Sequence, residues 1–244
     1  MTVPASRRAV SSVVADEPGQ DGDKPDLAGW MQRLCRAATR ELSASGVGMS
    51  VISAEGAFSV LACSSPASET IEQLQFTLGE GPCLDAHAFG RPVLTPDLSY
   101  PARTRWPGYA PAAMDLGVRA VFAFPLQVGA ARLGALDVFR EQAGPLPPAT
   151  LQRALAFTEA AMKALLAAQQ RSQLISRSAL GVLETAIEDS FLVYQAQGMV
   201  QVQLGVSLAE AMVRLRAHAY AEDRPLNDVA ADVVARRIVF ESDG

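Results

Sequence analysis

Gln195-Ala196-Gln197-Gly198-Met199-Val200 leads into Leu204-Gly205-Val206-Ser207-Leu208-Ala209-Glu210-Ala211, and together they mark the end of one helix and the start of the next. Ser207-Leu208-Ala209-Glu210 is a capping box: the serine oxygen can accept the backbone N–H three residues on, and the glutamate can reach back. Leu208, Ala211, Met212, Leu215 and Ala219 then recur at helical spacing as one apolar stripe. Arg214 and His218 lie along one edge of this helix, Arg216 and Tyr220 along the other. Arg224-Pro225 breaks the chain, and Leu226, Val229, Ala230 and Val233 form the stripe of a last helix. Upstream, Gly181–Gln203 reads as a helix that is apolar on more than one side. Leu183, Ile187 and Tyr194 share one face at heptad-like spacing, while Leu192, Ala196 and Met199 lie opposite. Such a helix needs two partners; the pattern predicts a second chain on the first face and the two following helices on the other. Three short helices with these stripes bury one shared core.

The order and spacing of these segments, continued through Leu215-Arg216-Ala217-His218-Ala219 and Arg224-Pro225-Leu226-Asn227-Asp228-Val229, resemble the ANTAR domain. That family of three-helix modules binds RNA hairpin loops in bacterial transcription antitermination. The resemblance implies a homodimer that holds two hairpin loops of one leader transcript, and the heptad-like spacing of Leu183, Ile187 and Tyr194 makes them the expected dimer seam. Splayed loop bases are read by stacking on guanidinium and aromatic planes and by hydrogen bonds to amides. The polar residues outside the stripes that fit are Gln195, Gln197, Arg214, Arg216, His218, Tyr220, Arg224 and Asn227. Gly198 joins them, because a mid-helix glycine costs about 1 kcal/mol against alanine and so points to close approach by another helix or by RNA. Blander roles stand beside these: solvated glutamines, an Arg214–Glu210 pair one turn apart, a packed histidine.

The sequence also departs from the family. ANTAR domains often carry a basic residue where this chain has Ser190, Gln197 and Gln203, and residues 174–240 hold six arginines against eight carboxylates, a net −2. Phosphate contacts dominate nucleic-acid affinity, so the module is expected to bind RNA weakly or only as a dimer. Three short helices also suit a DNA-binding helix-turn-helix, but an acidic helix with arginines on opposite edges is a poor major-groove reader.

The first part of the chain alternates differently. Trp30 to Leu42 reads as a helix, Val47–Ile52 and Phe58–Cys63 as strands with a turn near Glu55-Gly56, and Ser65-Pro66 as the capped start of a helix to about Gln75. A loop, Leu78–Cys83, leads into a short helix through Phe89; Pro92-Val93-Leu94 and the pair Ala120–Val128 and Leu133–Phe139 read as strands around a loop and helix, Trp106–Leu116. Gly79-Glu80-Gly81-Pro82-Cys83, Arg105-Trp106-Pro107, Gly117-Val118-Arg119-Ala120, Pro125-Leu126 and Leu133-Gly134-Ala135-Leu136 resemble a GAF domain of the kind placed before ANTAR domains. An α+β organisation follows: a GAF domain over 27–145, a connecting helix or coiled coil over 149–180 and an all-α ANTAR domain over 181–240, after a disordered leader over 1–26. The resemblance implies an antiparallel sheet with helices on one face and a pocket for a small molecule of unknown identity on the other. In the connecting helix Leu151, Leu155, Thr158, Met162 and Leu165 recur in steps of four and three.

Composition narrows the function classes. The chain has 244 residues, 49% hydrophobic and 19% charged, and a net charge of −5, which gives no general attraction to phosphate. No run reaches the length of a membrane span. Cys35, Cys63 and Cys83 are scattered, without CxxC or Cys/His spacing; their odd number and the lack of a secretory leader predict reduced thiols in the cytoplasm. No phosphate loop, paired metal ligands or Ser/His/Asp grouping is present, so no catalytic residue, metal or cofactor is expected. One enzyme reading comes from resemblance, since a GAF family reduces free methionine sulfoxide with cysteines. Cys83 at a helix start could be its thiolate and Cys63 its resolving partner.

Overall fold

The computed structural model describes residues 9–19, 26–52, 58–129, 131–174 and 181–241, and for 169–174 and 181–191 it describes backbone alone. Helix α1 (Val10–Ala15) places Val10, Val13 and Val14 in the core against α2 (Leu27–Glu41). The expectation of a disordered leader therefore fails over this segment: its three valines fall on one helical face and are buried, which the Ser- and Asp-rich residues around them obscured. Asp26 caps α2 by accepting the Gly29 N–H at 3.2 Å.

Strands β1 (Gly46–Ile52), β2 (Phe58–Cys63), β3 (Val93–Thr95), β4 (Ala120–Val128) and β5 (Ala131–Arg140) form one antiparallel sheet in the order β2-β1-β5-β4-β3. Between β2 and β3 run α3 (Pro66–Leu78) and α4 (Pro82–Phe89); between β3 and β4 run α5 (Ala102–Arg105) and α6 (Tyr109–Asp115). Ser65 caps α3 through the Ser68 N–H, and Gly79 ends it in the left-handed conformation at φ +70°. The capping serine and the following proline are local signals, and the structure starts the helix where they stand.

Side-chain alternation along β4 separates two cores. Phe122, Phe124 and Leu126 pack with α2 and with Phe157 and Leu165 of α7 (Pro148–Leu174). Val121 and Ala123 face the other way, onto Ile71 of α3 and Tyr109 of α6. Helices thus cover both faces of the sheet, and α3 to α6 occupy the face expected to hold an open pocket. The buried residues of α7 include Ala154, Phe157, Thr158, Ala161, Met162 and Leu165, whereas Leu155 is 44% exposed. A long arm, α7, is thereby spent largely on the sheet domain, with Arg153 paired to Glu41 of α2 at 3.1 Å. Helices α8 (Gly181–Leu204), α9 (Leu208–Ala221) and α10 (Leu226–Val234) complete the chain. No helix among the described residues is long and apolar enough to cross a membrane.

Candidate nucleic-acid interface

The three carboxy-terminal helices close on the stripes read from the sequence, except that Leu208, expected in the stripe of α9, is 50% exposed in its first turn. Val193, Ala196 and Val200 of α8, Ala211, Leu215 and Ala219 of α9, and Leu226, Val229, Ala230 and Val233 of α10 are all buried together. Ser207 accepts the Glu210 N–H at 3.2 Å as the cap requires. The Glu210 carboxylate instead lies 3.8 Å from Arg214 Nη2, one turn along.

This small core does not stop at the module's edge. It runs on into Ile52, Phe58, Phe76, Cys83 and Ala135 of the sheet domain, where Phe58 and Phe76 stack with ring centroids 5.1 Å apart. Helix α8 packs on β2 and α9 on α3. A second partner for α8 is therefore strand β2 of the same chain. Tyr194 is half-buried, while Leu183 and Ile187 lie outside the residues whose side chains are described.

Docking divides the candidate RNA contacts into two groups. Toward the sheet domain, Arg216 lays its guanidinium over Phe76, 6.0 Å from the ring centroid, with Nε buried and unpartnered. Burial pushes its pKa down. Asn227 has a buried, unpartnered Oδ1 and lines a cavity of about 90 Å³ with Phe58 and Phe76. Tyr220 and Arg224 border a larger cleft of about 560 Å³, whose other wall is Thr70, Gln73, Asp115 and Leu116. Arg224 is held by Asp232 at 2.5 Å and Glu222 at 3.4 Å, and Arg237 also reaches Asp232 at 2.5 Å. The bonds to Asp232 and Glu222 raise the Arg224 pKa, and those from Arg224 and Arg237 lower that of Asp232.

Away from the sheet domain, Gln195 and Arg214 are exposed, and Gln197 Nε2 donates to the Leu208 carbonyl at 2.7 Å. His218 lies 3.3 Å from Glu222 Oε1, with its ring edge against Phe240. A Cβ added at Gly198 would meet nothing within 4 Å, so no other helix among the described residues requires the glycine. The seat of Arg216 was missed in the sequence: the Phe76 ring and the space beside Gly79 form it. A Cβ at Gly79 would come within 2.7 Å of Arg216 Cζ. Stripes show which residues are buried, but not against which distant element.

A polar cluster sits in the sheet domain itself. Glu72, Gln75, Cys83, Tyr109 and Asp137 are fully buried, with the Ser50 hydroxyl donating to Glu72 Oε1 and Gln75 Nε2 to Asp137 Oδ2, each at 2.5 Å. Burial raises the Asp137 pKa to about 7 and, with the Asp137 charge, pushes Glu72 well up. The same burial, followed by these two carboxyls, pushes the Cys83 thiol well above its ordinary value. The thiolate expected at the start of α4 is thus overturned: the backbone N–H of Cys83 is spent on Gln75 Oε1 at 2.8 Å, and the sulfur faces acids rather than cations. Burial likewise raises Cys35 and Cys63.

The GAF domain family model matches residues 25–165, and the ANTAR domain model matches 182–234. Among solved structures, the GAF domain of an Acinetobacter phosphoenolpyruvate-protein phosphotransferase aligns with TM-score 0.53 and 10% identity, over 70% of this chain and 99% of that one. A methyl-accepting chemotaxis protein, residues 122 to 287, aligns with TM-score 0.48 and 14% identity, over 70% and 100%. Free methionine-R-sulfoxide reductase from Neisseria meningitidis aligns with TM-score 0.45 and 15% identity, over 65% and 89%. At 10% identity the likeness to the first of these is one of fold. No curated protein sequence matches the chain.

Proposed function

We propose, for a chain that belongs to the GAF domain family and carries an ANTAR domain behind it, a cytoplasmic antitermination regulator that binds paired hairpin loops in RNA as a homodimer. The observation that carries this reading is the ANTAR match over α8 to α10, a bundle whose Gln195, Arg214 and Tyr220 remain exposed around a closed core. Exposed amides, guanidinium groups and rings are what unstacked bases need.

The docking of Arg216 on Phe76 supports a regulatory role for the GAF domain. In the docked form Arg216 is turned inward and Arg224 is held by carboxylates, so fewer cations face an RNA backbone. A small molecule that loosens α3 would release Arg216. The buried, protonated thiols favour a sensor over a thiol reductase, since thiolate is the reactive form.

The surface is tested by titrating paired-hairpin RNA against wild type, Arg214→Ala and Gln197→Lys at two salt concentrations. Losing a charge-assisted contact at Arg214 weakens binding by roughly 1–3 kcal/mol. Gln197→Lys tightens it and steepens the salt slope by roughly one unit, because one more counterion is released. Equal affinities for all three proteins would remove this face from the interface.

A further inference from the structure

Five elements of the GAF domain converge on its buried polar cluster: Ser50 from β1, Glu72 and Gln75 from α3, Cys83 from α4, Tyr109 from α6 and Asp137 from β5. One ligating atom each from Glu72, Cys83 and Asp137 lies within 4.8 Å of the others. Ser50 and Gln75 satisfy one oxygen of each carboxyl and fix its orientation, which is how outer-shell partners aim metal ligands. Glu72 Oε2 and Asp137 Oδ1 have no donor apart from the proton that the two carboxyls share when one of them is protonated.

A second observation points the same way. The Tyr109 hydroxyl is also fully buried without a hydrogen-bond partner, and the charges acting on it are those of Asp137, Glu72 and Cys83. Among the described residues the side chains that donate to these two carboxyls are the neutral Ser50 and Gln75. Buried carboxyls without a basic partner are neutralised either by protons or by a metal cation.

We propose that Glu72, Cys83 and Asp137 hold one divalent transition-metal ion of the zinc class, with the Tyr109 hydroxyl facing its fourth position. The donor set selects the class. Calcium and magnesium take six or more oxygens, whereas a thiolate beside two carboxylates suits borderline ions such as zinc, cobalt or iron(II). Metal–ligand distances of about 2.0–2.3 Å place tetrahedral ligands roughly 3.3–3.8 Å apart, inside the observed spread. Binding displaces the Cys83 proton to solvent, along with any proton shared by the carboxyls. The ion ties α3 to α4 across the Gly79–Gly81 turn, the place where Arg216 docks.

The full chain, stripped with chelator, is titrated anaerobically with Co²⁺ and then with Zn²⁺. The expected result is one equivalent of Co²⁺ with an intense near-ultraviolet thiolate-to-cobalt band that Zn²⁺ abolishes. Cys83→Ser removes that band, Cys63→Ser keeps it, and Asp137→Asn or Glu72→Gln weakens binding at least tenfold. Zn²⁺ raises the melting midpoint of wild type and leaves that of Cys83→Ser unchanged. Absence of the band in wild type overturns the site, as does its retention in Cys83→Ser or its loss in Cys63→Ser. Should Asp137→Asn fail to fold, the near-isosteric Cys83→Ser still decides the matter.

Discussion

Replacing Gly79 by alanine bears on the link between the two domains. The residue has φ +70°, where an L side chain costs about 1–2 kcal/mol. Its new Cβ would lie 2.7 Å from Arg216 Cζ. The guanidinium is the far end of a flexible side chain, so it swings away rather than forcing the backbone. What is lost there is the contact of Arg216 with Phe76, a cation over a ring worth about 0.5–1 kcal/mol. The total is therefore about 1.5–3 kcal/mol, and the docking share alone raises the undocked population roughly two- to fivefold. Gly117→Ala is the matched control: φ is +89° and a Cβ there meets nothing within 4 Å, so it carries the backbone strain without the interdomain loss. Hydrogen exchange over α9 reads the difference, with denaturant unfolding to measure strain in both. Gly79→Ala is expected to speed α9 exchange two- to fivefold and to tighten RNA binding, while Gly117→Ala leaves both unchanged. Wild-type exchange in a folded Gly79→Ala protein, or equal effects of the two variants, would refute the docking of Arg216 on Phe76 as the link between the domains.

Asp232→Asn releases Arg224 and Arg237 from the carboxylate that holds both at 2.5 Å. It should leave stability nearly unchanged, because solvent screens such pairs, and bind RNA more tightly with a steeper salt dependence; an unchanged salt slope excludes these arginines from the interface. Leu183→Asp with Ile187→Asp should yield monomers with retained helicity in light scattering and circular dichroism, and an unchanged dimer would move the interface off α8. Cys35 and Cys83 are fully buried, so a thiol reagent on the native metal-free chain should reach Cys63 at most and all three only after denaturation. Immediate reaction of all three would revive the thiol-redox reading.

Local chemistry was legible in the sequence wherever a residue dictates its own neighbourhood. Ser65-Pro66 starts α3 and Ser207 starts α9, because each cap needs only the next few backbone N–H groups. The stripes Ala211, Leu215, Ala219 and Leu226, Val229, Ala230, Val233 form the expected core, because helical period alone places them on one face. What the period leaves open is the opposing surface. Nothing near Arg216 announces Phe76, and nothing near Glu72 or Gln75 says that these polar side chains of α3 turn inward to Ser50 and Asp137. In α7 the leucines suggested a seam, yet Leu155 is exposed and Phe157 buried, since the sheet below selects the face it can fill.

Titration of the native full chain with a paired-hairpin RNA, a single hairpin and duplex DNA, at fixed salt, tests the RNA reading most directly. Two protomers are expected on each paired-hairpin molecule, with clearly weaker binding to the single hairpin and to duplex DNA. Equal affinity for duplex DNA, or no RNA binding by either wild type or Gly79→Ala, would contradict an RNA-binding ANTAR domain.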